Sequence, residues 1–401
     1  MQRLQIAYAM INTNRRDGSA RALCEVAERL SQRHEVHLFA RTVADLDLSH
    51  IRWHRMPGPG WPAVADFLSY HLLADFKIRA GDFDIIHSIG NNAMASNVIT
   101  IQNIQPAKRP FLTVAGTQAS LARRLTRWLF LNVTSAVEGR VYSNRARHNR
   151  PIPLFLPVSQ GVDRELRTHY AIGSAPVRII PNAADTDVFK PLAPEEKARW
   201  RHANGLREKD TVLAFAGGEW ARKGLEFAIE ALARIPRPEV KLLVLGQDAE
   251  ASRFNELARR LGVGDRIVFG GFRRDVAEGL GASDVFLFPS RYEAFSLATI
   301  EAAACGLPIV ATRINGAEDF ITAGHNGFFI EHNPEQIART LLPLLTSPEL
   351  RQEMGRAARR RVEEHYTWDR VADLTETAYF EYLGLTTGKG AEQLETLAFH
   401  G

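Results

Sequence analysis

The sequence predicts an α/β protein with two doubly wound domains, each a parallel sheet flanked by helices. The chain has 401 residues, more than one ordinary hydrophobic core accommodates. Short apolar runs alternate with segments whose apolar residues recur at helical spacing, which is typical of parallel sheets. A Pro- and Glu-rich stretch at 191–197 separates two such series. The expected divisions are therefore domains over 1–190 and 191–366, a final helix over 367–384 and a tail over 385–401.

The first domain begins with an apolar strand, a polar loop and a segment of helical spacing over 19–30. Further strands alternate with helical segments as far as the linker. In such a sheet, ligands bind at the carboxyl ends of the strands. The strands predicted here are 5–11, 35–40, 51–55, 84–88, 111–114 and 154–158, and a last apolar run at 177–180 closes the domain.

The second domain repeats this alternation. Its predicted strands are 212–216, 241–246, 266–270, 285–288, 309–312 and 327–330. Helical spacing follows at 335–345 and 348–365, and the segment from Thr367 to Gly384 forms a last amphipathic helix. The spacing of these runs predicts a second parallel sheet of the same kind.

The loop and helix after the strand at 285–288 contain the most informative polar residues. The helix predicted over 296–305 is almost wholly apolar but contains Glu301, which needs a hydrogen-bonding partner if it is buried. Glu293 lies in the loop before it. No acidic side chain occupies the first helical turn, and such a helix end attracts phosphate. About 7–8 Å along the axis separates this end from Glu301, which suits a nucleotide diphosphate and its ribose diol. The amides at this end belong to Ala294, Phe295, Ser296 and Leu297.

The spacing Glu293-x7-Glu301, the following Cys-Gly-Leu-Pro-Ile-Val run and the Asn-Gly-Ala-Glu loop resemble the retaining glycosyltransferases of family 4 (group 1), which have the GT-B fold. The run PNAADTDVF at 181–189 resembles a family signature, with Ala183 where glycine is usual. The resemblance covers most of residues 85–380. It implies two Rossmann-like domains facing a cleft, a donor site in the second domain and a last helix that returns to the first.

The resemblance also implies roles for single residues. Lys223, in a Lys-Gly pair before a helix, is expected to contact the donor diphosphate, where a cation stabilises the leaving group. Many relatives have an arginine where this chain has Gly218, and Arg222 is a candidate replacement. Glu301 is expected to bind ribose and Glu293 the hydroxyls of the donor sugar. The alternative for Arg222 and Lys223 is that they are solvated basic residues ahead of a helix, and it weighs more for Arg222 than for Lys223.

Three further positions follow from the same resemblance. His87, at the end of the strand 84–88, is expected to face the donor sugar, although a structural role explains it equally well. It is the third candidate catalytic residue, beside Glu293 and Lys223. Phe272 is expected beside the nucleotide base or in the core. Gly18, which ends the first polar loop, is a candidate substrate-binding residue. Where many relatives have histidine after the strand at 111–114, this chain has Ala115-Gly116.

The sequence gives no support for a metal site or a membrane-spanning segment. Three Asp-x-Asp pairs occur at 45–47, 82–84 and 185–187, but such short pairs arise by chance and no metal is assigned. No His/Cys cluster has zinc spacing. The two cysteines indicate a reducing, cytosolic compartment. No signal peptide is recognised, and no apolar run approaches the roughly 18–20 residues that span a bilayer.

Charge is distributed unevenly. Residues 1–170 carry a net charge of +9 and the remainder −5, so the first half is expected to meet an anionic partner. Within 122–132, three arginines stand beside Trp128, Leu129 and Phe130. This segment could lie on an anionic membrane, bind an anionic acceptor or pack into the core. Nucleic acid is not expected, because no recognition motif accompanies the charge.

The function implied is a cytosolic, metal-independent, retaining transfer without a cofactor, acting at the inner face of the membrane if the basic segment binds lipid. The donor is a nucleotide-diphosphate sugar, with a UDP-sugar slightly favoured. The acceptor is the hydroxyl of a cell-envelope glycan, a glycolipid or another phosphorylated or anionic molecule. No protein nucleophile is expected. Three alternatives stay open: a nucleotide-sugar epimerase, a sugar phosphorylase, and a scaffold that binds nucleotide sugars without turnover.

Overall fold

The computed structural model describes residues 2–15, 18–112, 121–143 and 152–385, with side chains from residue 125 onward in the third range. Its first sheet is six-stranded and parallel. The strands are β1 (Gln5–Ala9), β3 (Glu35–Ala40), β5 (Ile51–Arg55), β6 (Ile85–Ile89), β7 (Val98–Ile101) and β8 (Leu154–Pro157), and two short strands, β2 (Asn12–Thr13) and β4 (Thr42–Val43), pair separately. The order across the sheet is β5-β3-β1-β6-β7-β8.

Five helices accompany this sheet. The first buries Leu23, Val26 and Leu30 along one face, as the helical spacing predicts. Ser159 caps the fifth by accepting a hydrogen bond from the amide of Val162. The helices are α1 (Gly18–Ser31), α2 (Ala63–Arg79), α3 (Gln105–Leu112), α4 (Leu121–Tyr142) and α5 (Gln160–His169).

The second sheet is also parallel and six-stranded. Two of its central strands are buried along their whole length and a third in all but its first residue, because helices cover both faces. The strands are β9 (Thr211–Ala216), β10 (Val240–Leu245), β11 (Ile267–Gly271), β12 (Val285–Phe288), β13 (Ile309–Thr312) and β14 (Gly327–Ile330), in the order β11-β10-β9-β12-β13-β14. The helices are α6 (Pro194–Ala203), α7 (Leu225–Ala233), α8 (Ala251–Arg260), α9 (Val276–Gly281), α10 (Leu297–Ala304), α11 (Ala317–Phe320), α12 (Pro334–Thr346) and α13 (Pro348–His365), with a 3₁₀ turn at Gly264–Arg266.

The last helix, α14 (Trp368–Tyr382), returns to the first sheet and packs against α1. Its buried aromatic residues join the core that contains Leu23 and Val26. The chain crosses between the sheets twice, and the amide of Ala184 donates to the carbonyl of Tyr366 (3.0 Å) where the crossings meet. These features confirm the predicted pair of doubly wound sheets and the returning helix, while the predicted domain limits stay predictions.

Two strand predictions in the first sheet are wrong. Phe111 and Leu112 end helix α3 and are not part of a strand, and the residues after them lie outside the described ranges. The strand that joins the sheet is β7, which the sequence analysis missed. Both runs are apolar and β-branched, and only pairing with β6 and β8 distinguishes them. The run 177–180 forms one bridge, between Val177 and Phe155, and no strand.

The strand orders locate the crevice in each sheet. In the first sheet β1 lies between β3 and β6, and in the second β9 lies between β10 and β12. Connections from these neighbours run in opposite directions, which opens a crevice at the carboxyl ends of the strands. The loops that contain Lys223 and Glu293 follow β9 and β12, the two strands at the crevice of the second sheet.

Candidate functional site in the cleft between the two sheets

A cavity of about 380 Å³ lies between the two sheets and takes its walls from both. Nine of the twelve site residues predicted from the sequence line it. The second sheet's loops supply Arg222, Lys223, Glu293, Glu301 and the segment 294–297, and the first sheet supplies Gly18. The candidates that do not line the cavity are His87, Gly218 and Phe272.

Helix α10 directs its N-terminus into this cavity. Ser296 is its N-cap, and the Ser296 hydroxyl accepts a hydrogen bond from the amide of Thr299 (3.2 Å). In the described part of the chain, the amides of Leu297 and Ala298 have no hydrogen-bond acceptor. No acidic side chain lies in the first turn. The cavity therefore contains unpaired amide donors and the positive end of a helix dipole, which together favour an anion.

Glu301 is 8% exposed, one turn into α10. Its partner is Arg21 of α1, whose Nη1 lies 2.6 Å from the Oε1 atom of Glu301. Burial raises the pKa of Glu301, and the positive charges of Arg21 and Lys223 oppose that rise. The hydrogen-bonding partner that the sequence required thus comes from the opposite wall of the cleft.

Glu293 and the basic pair before α7 form one charged cluster. The Glu293 Oε1 atom accepts a hydrogen bond from Arg222 Nη1 (2.9 Å) and lies 3.9 Å from Lys223 Nζ. Arg222 also pairs with Glu219 at 2.7 Å. Both guanidinium bonds hold Arg222 in place, whereas Lys223 has only long contacts and can turn toward an anion. The ammonium of Lys223 is the cation of this wall that is available to a ligand.

The position of Lys223 depends on Gly217. The backbone of Gly217 has φ +116°, and a Cβ atom there would stand 2.3 Å from Lys223 Nζ. Only glycine lets the lysine side chain lie across this turn, above the ring of Phe288. Gly218, the neighbouring candidate, lies near the Gln247 carbonyl and outside the cavity lining. A role of Gly218 in substrate binding stays a prediction.

Gly18, the first residue of α1, lies opposite the N-terminal end of α10. A Cβ atom on Gly18 would be 3.2 Å from the Cδ1 atom of Leu297. The first-domain loop thus contacts the first residue of α10. A larger residue here would separate the amide end from the opposite wall.

His87 does not face the cleft. It is 3% exposed, its Nδ1 contacts the Tyr379 hydroxyl of α14 (2.5 Å) and its Nε2 contacts Thr100 Oγ1 (2.7 Å). Burial lowers the pKa of His87 to about 3, so the ring is neutral at pH 7. Strand β6 continues to Ile89, so His87 is not its last residue, and α14 covers this face. The expected contact with the donor sugar is wrong, and the structural alternative describes His87.

Phe272 is 70% exposed, so the core interpretation of this residue is wrong. It follows β11 and does not line the cavity. Its place beside a nucleotide base stays a prediction.

The sequence analysis missed most of the first-domain wall. Gln102 and Asn182 exchange two side-chain hydrogen bonds, at 3.0 and 3.1 Å, and both line the cavity. Gln102 directly follows β7, whereas Ala115 and Gly116, which the sequence comparison with relatives concerned, lie outside the described residues. A polar Gln-Asn pair after the apolar run at 98–101 was the available signal. Arg15, Arg21, Asn103 and Lys108 line the same wall.

Two further sequence expectations concern metal ions and membranes. No group of three or more His, Cys, Asp or Glu side chains that could hold a metal ion occurs among the residues described. Within the same ranges, no helix has both the length and the apolar character needed to span a bilayer. On α4, Leu125, Trp128 and Leu129 are exposed and do not enter the core, and α2 exposes a parallel set, Leu68, Leu72 and Phe76.

Family models match both halves of the chain. The model described as glycosyl transferases group 1 matches residues 196–361, and the model described as Glycosyltransferase Family 4 matches residues 16–188. The chain belongs to this glycosyltransferase family. A D-inositol 3-phosphate glycosyltransferase of Kribbella flavida is 34% identical over 229 residues, which are 54% of this chain and 53% of the relative. The lipopolysaccharide glucosyltransferase WaaG of Escherichia coli is 31% identical over 201 residues, 49% and 54% of the two chains. The chain thus spans about half the length of these curated relatives.

Solved structures of other proteins share this fold over nearly the whole length of this chain. The structure of WaaG, described as a glycosyltransferase involved in lipopolysaccharide biosynthesis, superposes with a TM-score of 0.74 at 23% identity and covers 94% of this chain and 100% of that one. HepE from Anabaena, in complex with UDP-glucose, gives a TM-score of 0.71 at 18% identity, with 93% and 99% covered. At these identities the likeness establishes the GT-B architecture and does not extend to substrates.

Proposed function

We propose that this family member transfers a sugar from a nucleoside-diphosphate donor to the hydroxyl group of an acceptor, with retention of anomeric configuration. One observation carries the proposal. The free amides of α10, the ammonium of Lys223 and the buried carboxylate of Glu301 line a single cavity at the crevice of the second sheet. A diphosphate and a ribose diol are the adjacent groups that such a set would bind.

The proposed roles follow the order of groups along the cavity. The amides of Leu297 and Ala298 and the Lys223 ammonium hold the diphosphate. Glu301 accepts hydrogen bonds from the ribose hydroxyls. Glu293, fixed by Arg222, accepts hydrogen bonds from hydroxyls of the transferred sugar.

The proposed chemistry depends on charge and position. Negative charge develops on the leaving diphosphate as the glycosidic bond breaks, and Lys223 with the amide end stabilises it without reorganisation. This positive charge supports a reaction that needs no metal ion. Glu293 is already engaged by Arg222 and serves to orient the sugar. A leaving phosphate oxygen then takes the proton from the acceptor hydroxyl, which adds to the same face of the sugar that the diphosphate leaves.

We propose a UDP-sugar as donor and an anionic or lipid-linked glycan as acceptor, at the cytoplasmic side of a membrane. The solved relative HepE holds UDP-glucose, which supports the choice of base. The first-domain wall contributes Arg15 and Lys108 to the cavity, and the first 170 residues carry a net charge of +9. That wall is suited to a phosphorylated acceptor.

The first experiment is a thermal-shift panel of UDP-, GDP-, ADP- and dTDP-sugars, each with and without EDTA. We expect one nucleotide to raise the melting temperature regardless of EDTA, because a ligand at 100 times its Kd adds about 2.7 kcal/mol. The Glu301→Ala variant should lose that shift. The bound donor is then incubated with candidate acceptors, and the anomeric configuration of the product is determined.

Other outcomes would favour the alternatives. Conversion of the donor without an acceptor would indicate an epimerase, and release of a sugar phosphate that depends on inorganic phosphate would indicate a phosphorylase. Binding without any turnover would indicate a scaffold. A shift abolished by EDTA would contradict the metal-independent reaction.

We also propose that the first domain contacts an anionic membrane through 122–132. The apolar side chains Leu125, Trp128 and Leu129 are exposed on the same helix as Arg127, a combination typical of interfacial helices. The wild-type protein should sediment together with phosphatidylglycerol vesicles. The double variant Trp128→Ser and Leu129→Ser should stay in the supernatant. Equal recovery of both proteins with the vesicles would contradict this contact.

A further inference from the structure

The ion pair between Arg21 and Glu301 joins the two walls of the cleft. Arg21 belongs to α1, which packs between the first sheet and α14. Glu301 belongs to α10 of the other sheet. Both side chains are largely buried, 19% and 11% exposed, and their contact is 2.6 Å. The guanidinium lies 5.7 Å from the ring of Phe189 in the crossing segment, so it is supported on a second side.

Only one oxygen of Glu301 is engaged by this contact. Among the described residues, Oε1 accepts from Arg21 and Oε2 has no hydrogen-bond donor. Other charged or titratable groups near α10 are Lys223 and Glu293 in the cavity, Cys305 and Glu278 toward its C-terminal end, and Arg359 of α13, which bonds the Ala304 carbonyl. Within the described ranges, none of these five makes a hydrogen bond to the carboxylate. Without Arg21, the carboxylate would be a buried charge with no close partner, which is strongly unfavourable.

We propose that Arg21 is a positioning residue for donor recognition: it holds the Glu301 carboxylate by Oε1 and leaves Oε2 to accept hydrogen bonds from the ribose hydroxyls. The inference rests on the proposed donor site. Because Arg21 and Glu301 belong to opposite walls, the ribose site is complete only when the two walls are together. Recognition of ribose is thereby coupled to closure of the cleft.

A different role for Arg21 makes a different prediction. In this alternative, Arg21 releases Glu301 and binds the diphosphate itself. Its removal would then lower the affinity for every nucleotide by the same factor, whether or not the ribose hydroxyls were present. If Arg21 orients Glu301, its removal abolishes the benefit of those hydroxyls specifically. A comparison of two ligands that differ only in the ribose separates these roles.

The test measures the Kd of the best-binding nucleoside diphosphate from the panel and of its 2′,3′-dideoxy analogue by calorimetry. The full-length wild-type protein should bind the ribose form at least about tenfold more tightly, the scale of hydrogen bonds to a charged group. Arg21→Gln should reduce this ratio nearly to one. Arg21→Lys, which retains the charge with a single ammonium, should give an intermediate ratio. Glu301→Gln serves as a positive control in which the ratio also falls.

Arg15→Gln is the matched control, because Arg15 lines the same cavity but pairs with Glu25 and Glu28 on α1. It should keep the wild-type ratio even if both affinities change. Melting temperatures confirm that each variant is folded. A wild-type ratio preserved in Arg21→Gln would overturn the inference, and so would a wild-type ratio near one. A preserved ratio in Arg21→Gln leaves the donor proposal standing. A wild-type ratio near one would also contradict the proposed role of Glu301 in binding ribose, and the absence of nucleotide binding by the wild type would contradict the donor proposal itself.

Discussion

The two walls of the cleft satisfy their buried charges differently. The second domain pairs two of its carboxylates with cations of the same domain: Glu293 at the cavity with Arg222, and Asp284, at the other end of β12, with Lys197 and Arg201. Burial alone would raise the pKa of Asp284, and these cations lower it below its ordinary value. Glu293 and Arg222 are therefore already paired, while Lys223 and the amide end of α10 stay available to a ligand.

The first domain satisfies some of its buried polar groups without cations. Gln102 pairs with Asn182 by amide hydrogen bonds, and the buried carboxyl of Glu138 accepts from the Tyr170 hydroxyl and the Gln105 amide. Arg21, its most buried cation at the cavity, pairs across the cleft with Glu301. One wall is thus a preassembled anion site, and the other completes that site by approaching it.

The largest effect is expected from removing the Lys223 ammonium, the cation of the second-domain wall that is available to a ligand. Lys223→Met retains the apolar stem of the side chain but loses the charge facing the leaving diphosphate. Turnover should fall about 100- to 1,000-fold, the usual effect of removing one group that stabilises a developing anion. Steady-state kinetics with saturating donor measures this change.

Lys241→Met is the control for that prediction. Lys241 is a lysine of the same sheet whose ammonium contacts the Asp265 carbonyl outside the cavity, so its turnover should stay at the wild-type value. A loss of less than tenfold in Lys223→Met would mean that the helix end alone carries the diphosphate charge.

The burial of Glu138 in the first domain predicts a pH dependence. Burial raises the pKa of Glu138 to about 7, opposed by the hydrogen bonds from Tyr170 and Gln105. The folded state therefore holds this proton more tightly than the unfolded state. The contribution is fully present below pH 4.5 and is lost as the pH rises through about 7. At pH 8 the ionised group should destabilise the fold by about 3 kcal/mol relative to low pH.

Glu138→Gln tests this prediction, because glutamine keeps an acceptor for both donors and cannot ionise. Urea unfolding should show the variant gaining stability relative to the wild type between pH 5 and pH 8, by up to about 3 kcal/mol. Glu256→Gln, at a half-exposed glutamate of α8, should show no such gain. A constant difference between Glu138→Gln and wild type at both pH values would exclude a raised pKa.

The sequence predicted the second-domain wall better than the first, and the reason is physical. Three of its strands, β12, β13 and β14, have the predicted limits, because each is a short apolar run bounded by Gly, Pro or polar residues. Glu293 and the amide end follow β12, and Lys223 lies in the loop after β9, whose predicted limits differ by one residue. Their chemistry is local in the sequence, so spacing places them in one site.

The first-domain wall depends on contacts between distant parts of the chain. Glu301 clearly needed a partner, but Arg21 lies 280 positions away and nothing in its own segment marks it. His87 was misplaced because α14, 292 positions later, covers its strand. Within 98–114, the apolar runs 98–101 and 111–114 are both compatible with a strand, and only pairing in the sheet shows that 98–101 forms it. Local patterns identify elements and miss residues whose role depends on another domain.

The smallest effect is expected from a substitution at Gly217, which adds a methyl group beside Lys223 and changes no charge. In Gly217→Ala the new methyl group occupies the space of Lys223 Nζ, 2.3 Å away, so the ammonium must move off the diphosphate position. Turnover should fall about tenfold, less than in Lys223→Met, because the charge is displaced but retained. Combined with Lys223→Met, the glycine change should add no further loss of turnover, since the two act through one side chain.

Gly271→Ala separates this displacement from backbone strain. Gly271 also has a positive φ, +66°, but no atom lies within 4 Å of a Cβ placed there. Both variants should lower the melting temperature through strain, and only Gly217→Ala should lower turnover. If the two lowered turnover equally, or if Gly217→Ala reduced turnover further in the absence of Lys223, the glycine would act on the site through the backbone, and the wall would not be preassembled around the lysine.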